Sequence, residues 1–240
     1  MKAVILASLL ITFKLHAAPY EINVPDETRM PMFLIEKNNY SGIYLDVFKK
    51  VLENAKIDYK FEPLPMQRRR KFFEEGKSYI DCCPSPNWRK SDAEAAVQLF
   101  SDPLFNSDDL YIFPKGKAFK VPNIDILGQK KVAIIRGYGY KGMAIFKDKA
   151  MQLNSEDELI GFIEKGRADV GIVNGFVLNY WLKTHPNTQL DVGEIHESTS
   201  LHIRIHKAKK ELLPSINQAI TKLKGSGEID QILKKYMSKS

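Results

Sequence analysis

The sequence is poor in the residues that build covalent or metal-held scaffolds. Its 240 residues include two cysteines, adjacent at Cys82 and Cys83. That is too few for a disulfide-stapled fold or a four-cysteine zinc site. Five histidines are present, but no H-x-x-x-H pair falls on an expected helix, and His202 and His206 bracket a strand and turn. A metal is therefore not expected, and neither is a cofactor. No apolar run reaches the ~18 residues that a membrane-spanning helix requires. Glycine and proline number only 14 and 12, and aromatics make up 10%, which argues against collagen-like, low-complexity or disordered chains.

What is present describes an ordinary globular chain, 44% apolar and 27% charged. A chain of this length buries roughly 70–75% of its unfolded surface, enough for one large or two small domains. The formal charge is +7. Its densest run, Arg68-Arg69-Arg70-Lys71, has no interleaved aromatics, so nucleic acid is not an expected partner, whereas small anions or anionic surfaces are favoured.

Met1-Lys2, the apolar stretch Ala3–Phe13 and the small-residue tail Leu15-His16-Ala17-Ala18 have the layout of a secretory signal. Cleavage is expected after Ala17, with residues 1–17 removed. The competing reading is a buried strand or helix of the fold. No cysteine follows the tail, which excludes lipid attachment to a new N-terminal cysteine. The loss of Lys2 and Lys14 leaves 34 basic against 29 acidic residues, a charge of +5. The expected product is a soluble periplasmic protein.

Along the remaining chain, alternation predicts strands at Tyr20–Val24, Tyr59–Pro63, Ile80–Cys83, Leu110–Phe113, Lys131–Ile135, Ala168–Val173 and Leu201–Ile205. Helical spacing predicts helices from Ile43 to about Ala55, Arg68–Glu75 closed by Gly76, Glu156–Lys165 closed by Gly166, and Phe176–Lys183. A long amphipathic segment from Leu212 to Tyr236 is broken into two helices by Gly225-Ser-Gly227. Arg136-Gly137-Tyr138-Gly139 reads as a turn into a helix. Strands alternating with helices imply an α/β protein with largely parallel sheets.

Several fragments resemble the extracytoplasmic solute-binding proteins of family 3, which serve polar amino-acid transporters. They are Pro31-Met-Phe33, Gly42-Ile-Tyr-Leu-Asp46, Pro65-Met-Gln-Arg68 followed by Gly76 and Asp81, and Phe100-Ser-Asp-Pro103. Further along come Lys131-Val-Ala-Ile-Ile-Arg-Gly137, Gly166-Arg-Ala-Asp169, and Leu223-Lys-x-Ser-Gly227 with Lys235-Tyr236. Their order over nearly the whole mature chain carries the resemblance. It implies the two-lobed periplasmic-binding-protein (type II clamp) fold, each lobe a mixed, mostly parallel sheet flanked by helices. One lobe would comprise residues 18–108 plus 199–240 and the other residues 113–193, with hinge strands at 109–112 and 194–198. Ligands of open α/β sheets bind outside the carboxyl ends of the strands, and closure of two lobes about a ligand is a known hinge motion.

The same resemblance places an arginine, here Arg89, where the family grips a ligand carboxylate, although Trp88-Arg89 departs from the usual Thr-x-Glu-Arg. Bidentate geometry suits arginine to that task. Arg68 is a second candidate, or else a solvated member of its run. Gly137 and Tyr138 offer backbone N–H groups to an anion if a helix begins there. Asn174 stands where amino-acid binders carry the Asp that pairs with the ligand ammonium, so the acid is missing at that position. Glu27, near the rim, either compensates or faces solvent. Trp88 and Met30 would supply an apolar wall, and Ser85 completes the candidates. For Cys82-Cys83 a vicinal disulfide and two thiols are both open, the strain of the small ring favouring thiols.

The leading expectation is a monomeric binding protein, not an enzyme. It would capture a small anionic or zwitterionic solute, with a carboxylate, for the membrane permease of an ABC transporter. The alternatives are a periplasmic enzyme on the same fold, such as a cyclic-acid dehydratase, and a stand-alone sensor module. The enzyme needs a cleft acid or base, for which Glu27 is the one carboxylate the sequence suggests. The sensor reading is disfavoured because the chain ends at Ser240 with no membrane helix.

Overall fold

A computed structural model of the protein describes residues 18–37 and 39–237. The expected signal segment, residues 1–17, lies outside the described residues. The chain begins with β1 (Tyr20–Val24), the hairpin strands β2 (Leu34–Glu36) and β3 (Asn39–Ser41), α1 (Ile43–Asn54) and β4 (Tyr59–Pro63). Next come α2 (Met66–Glu74), β5 (Ile80–Cys82), α3 (Asp92–Val97) and β6 (Gln98–Phe100). It then crosses on β7 (Phe105–Pro114) to β8 (Val132–Ile135), β9 (Met151–Leu153), α4 (Glu156–Glu164), β10 (Val170–Asn174) and α5 (Gly175–Thr184). It returns on β11 (Leu190–Leu201) and closes with β12 (Ile203–His206), α6 (Leu213–Gly225) and α7 (Glu228–Met237).

This is a two-lobed α/β clamp. One lobe rests on the parallel pair β1–β4 and the antiparallel sheet β5–β12–β6. The other is a five-stranded sheet in the order β11–β7–β10–β8–β9. Parallel pairing within it is confined to β10–β8–β9. β7 pairs antiparallel with both β10 and β11, because the chain leaves the first lobe once and returns once beside its outgoing strand.

The first lobe is organised around α1, whose Ile43, Leu45, Val47, Phe48, Val51 and Leu52 are all buried. The turn into α1 requires glycine. Gly42 has φ +107°, and a Cβ there would lie 2.5 Å from the Met32 carbonyl oxygen. Its N–H donates to the Tyr236 hydroxyl, which donates in turn to Asp46 at 2.6 Å. The Gly42-x-x-x-Asp46 and Lys235-Tyr236 fragments thus meet, and α7 is fastened to the start of α1. In the second lobe, the continuous apolar strands β8 and β10 are buried, as central strands covered on both faces should be. Gly171 lets α4 approach closely, since a Cβ there would lie 2.9 Å from Leu159 and 3.0 Å from Ile163.

Several features depart from the sequence reading: the short strands β2, β3, β6 and β9 were not expected, and antiparallel pairings outnumber the parallel ones that were. No α-helix follows Gly139; two three-residue 3-10 turns stand there instead. Glycines at 137, 139 and 142 crowd this stretch, and Gly137 and Gly142 both take positive φ, which interrupts helical geometry. The short α3 carries no readable apolar stripe. The expected strand Leu201–Ile205 divides at His202 between β11 and β12.

Candidate functional site

A cleft of about 780 Å³ lies between the lobes. Its first-lobe wall is built of arginines held in place by buried acids. On α2, Phe73 is the buried anchor. Arg69 and Arg70, four and three residues before it, share its face and line the cleft. Arg68, five residues before it and ~140° round the helix, is exposed and outside the cleft. The expectation for Arg68 is therefore corrected to its two successors.

Beyond β5, Ser85 is buried and its hydroxyl accepts from the Asn87 N–H, capping the turn that presents Trp88 and Arg89. Ser85 thus supports the wall from behind rather than lining it. Trp88 and Met66 are 43% and 53% exposed and give the wall an apolar rim.

Ser91 and Glu94 form a capping-box spacing at the start of α3. The Ser91 hydroxyl accepts from the Glu94 N–H and donates to the Glu94 carboxylate at 3.0 Å. Glu94 is almost wholly buried and gathers three guanidinium groups, from Arg70 at 3.0 Å, Arg204 at 3.3 Å and Arg89 at 3.5 Å. These contacts hold its carboxyl below the usual glutamate value, although burial opposes them. Arg204 is itself buried, paired with Asp81 at 2.8 Å and centred 3.9 Å above the Phe73 ring. Arg89 lines the cleft with its side chain 17% exposed. Burial and the neighbouring Arg204 and Arg70 push its pKa down, against the pull of Asp81 and Glu94. An approaching anion would relieve that repulsion.

The opposite wall is acidic and rich in tyrosine. Asp109 on β7 lies in register with Asn174 on β10 and with Glu197 on β11. Burial, with Glu197 and Glu156 adding to it, lifts the Asp109 pKa to about 6 despite the Asn174 amide and Arg29. Asn174 is the N-cap of α5: its amide oxygen accepts from the Phe176 N–H at 3.1 Å. Its amide nitrogen donates to Ser107 at 2.7 Å and to Asp109 at 3.5 Å. A carboxylate thus stands one strand away from the amide at position 174. Glu156 opens α4 and is paired with Arg29, which reaches across from the first lobe and stacks 4.9 Å from the Tyr138 ring centre.

Gly137 and Tyr138 line the cleft. The Tyr138 N–H is already donated to the Ile135 carbonyl, and no helix begins there, so the helix-terminus argument for anion binding lapses. Glu27 is exposed and lies outside the cleft, and the cleft carboxylates are instead Asp81, Asp109, Glu156 and Glu197. Cys82 and Cys83 line the first-lobe wall and are joined as a vicinal disulfide, the alternative the sequence disfavoured. Among the described residues, no group of three or more His, Cys, Asp or Glu is placed to hold a metal ion, and no helix is long and apolar enough to cross a membrane.

The Ser-x-x-Glu spacing is a sequence signal for Glu94, but the helix it starts is too short to carry an apolar stripe. Asp109, Glu156 and Arg29 carry no local signal, since each is brought to the cleft by pairing or packing with residues distant in sequence.

Three comparisons bear on this site. The family model of bacterial extracellular solute-binding proteins, family 3, matches residues 23–239. An L-cystine-binding protein of Bacillus subtilis is 26% identical over 215 residues, 85% of this chain and 78% of the relative. Among solved structures, the GluR0 ligand-binding core in complex with L-glutamate superposes with a TM-score of 0.75 at 19% identity, covering 92% of this chain and 99% of that one. The arginine-, lysine-, histidine-binding protein ArtJ of Geobacillus stearothermophilus gives 0.68 at 19% identity, covering 91% of this chain.

Proposed function

Because the chain belongs to the bacterial extracellular solute-binding proteins of family 3, we propose that its cleft binds a small zwitterionic solute of the amino-acid class. The solute's carboxylate faces Arg89 and Arg70, and its ammonium faces Asp109 and Glu197. One observation carries this reading: a single cavity has an arginine wall opposite a carboxylate wall. An arginine fork suits a carboxylate, and a half-buried aspartate suits an ammonium. The protein acts in the periplasm after cleavage near Ala17 and delivers the solute to the permease of an ABC transporter. Its lobes, residues 18–108 with 199–240 and residues 113–193, close about 109–112 and 194–198. The long antiparallel pair β7–β11, which runs through both segments, supports that hinge.

A thermal-shift panel of amino acids tests the reading, since a ligand at about 100 times its Kd adds about 2.7 kcal/mol of stability. A zwitterion that raises the midpoint and shrinks the radius of gyration supports it. A panel in which no amino acid does either sinks it. Asp109 also favours a second reading, because a cleft acid titrating at about 6 has the poise of a general base. Loss of an identified ligand on incubation with the protein, abolished by Asp109→Asn, would establish turnover in place of simple capture.

A further inference from the structure

The second-lobe wall contains a recognisable cation subsite, a buried carboxylate beside the face of an aromatic ring. Glu156 is 8% exposed, and Tyr138 stands beside it in the cleft wall. A carboxylate with a ring face is the chemistry that receives a guanidinium or an ammonium group. Here the occupant comes from the chain itself. The Arg29 side chain leaves the first lobe, pairs with Glu156 and lies 4.9 Å from the Tyr138 ring centre. Its backbone is held by reciprocal hydrogen bonds with Phe33, both 2.8 Å, so the side chain starts from a fixed point. Burial works against its charge, but Glu156, Tyr138 and Tyr44 outweigh that and raise its pKa.

We propose that Arg29 fills the cation subsite of the cleft and so sets the ligand class, admitting neutral or acidic side chains and excluding basic ones. The inference rests on the amino-acid reading given above. A basic side chain directed at Glu156 must either displace Arg29, leaving a guanidinium without its carboxylate, or lie beside it in like-charge repulsion. Both are means of rejecting a wrong ligand by an unpaired or repelled charge. A neutral side chain meets neither cost, and an acidic one gains a partner in the guanidinium. The contact also joins the two lobes directly.

The test is titration calorimetry of the wild type, Arg29→Met, Arg29→Lys and the double variant Arg29→Met/Glu156→Gln. The probes are L-glutamine, L-glutamate, L-arginine and L-lysine. The wild type should bind L-glutamine or L-glutamate at least about tenfold more tightly than L-arginine or L-lysine. Arg29→Met should gain at least about tenfold for L-arginine. Arg29→Lys keeps the cation and should not gain, and adding Glu156→Gln should erase the gain. A wild type that prefers L-arginine overturns the proposal. So does an Arg29→Met protein that binds L-glutamine or L-glutamate yet gains nothing for L-arginine. Should Arg29→Met fail to fold, the decision passes to the double variant, which leaves no buried carboxylate unpaired, and to the wild-type preference. Binding of none of the four probes by any folded protein overturns the amino-acid reading itself, a result distinct from a wrong preference among ligands that do bind.

Discussion

The two walls of the cleft are charged by different means. On the first-lobe wall, cations outnumber acids and are braced by them: Glu94, behind the wall, gathers Arg70, Arg89 and Arg204, and Asp81, at the cleft, pairs with Arg204. On the opposite wall, Asp109 and Glu197 sit side by side in the strand register, and Asn174 donates to Asp109. The first arrangement is cross-braced by its own acids before a ligand arrives. In the second, burial first, and then the neighbouring Glu197 and Glu156, raise the pKa of Asp109. In the proposed reading the arginine wall receives the solute's carboxylate and the acidic wall its ammonium.

The largest expected effect comes from breaking the support of the arginine wall. Glu94→Ala should destabilise the fold by about 3–5 kcal/mol, because it leaves buried guanidinium charge uncompensated. Urea unfolding measures it, and the loss should shrink in a Glu94→Ala/Arg204→Met protein, which removes the most buried of the three cations.

Next is the wall's own contact with ligand. Arg89→Ala should weaken binding by about 10- to 100-fold, the range of a charge-assisted hydrogen bond worth about 1.5–3 kcal/mol. The loss is bounded because Arg70 stands beside it on the same acid. Arg89→Lys should restore only part, since an ammonium lacks the fork. Calorimetry with the best ligand of the panel gives both numbers.

The acidic wall should respond to pH where the arginine wall does not. Asp109 is raised from 3.8 to about 6. Between those values the empty folded protein holds a proton that the unfolded chain has lost. Its contribution to stability therefore falls as pH rises from about 4 to about 6 and is level above that. An ammonium favours the ionised carboxyl, so affinity should climb as the pH rises through about 6, by about tenfold from pH 5 to pH 7. Asp109→Asn should flatten that climb while leaving the carboxylate contacts on the other wall intact, as affinity titrations at several pH values would reveal.

The smallest effect sharpens the comparison at its edge. Ser91→Ala removes the cap of α3 and one partner of Glu94, and should cost about 1 kcal/mol in thermal or urea unfolding. Ligand affinity should change little, because the three guanidinium groups still hold Glu94.

Much of this was legible in the chain. The apolar runs of β8 and β10 declare central strands, and the spacing from Ile43 to Leu52 declares α1, because burial on a face repeats with the period of the element. The fragments Gly42-x-x-x-Asp46 and Lys235-Tyr236 pointed to the fold even before their contact was visible. What local pattern left open was phase and pairing. Phe72 and Phe73 are adjacent, and either is a plausible anchor for α2. Anchoring on Phe72 turns Arg68 and Arg69 inward, whereas the observed burial of Phe73 turns Arg69 and Arg70 inward instead. One residue of phase decides which cations meet the ligand.

Pairing decided the rest. The sequence shows an amide at position 174 and an acid at position 109, but only the β7–β10 register sets them side by side. Likewise, Arg29 and Glu156 meet only because two lobes close on each other. The sequence alone determined the long elements, the family and the excess of positive charge, since these depend on neighbours along the chain. The tertiary structure alone decided which charges face the cleft, since strand order, helix phase and lobe closure join residues that no local pattern relates.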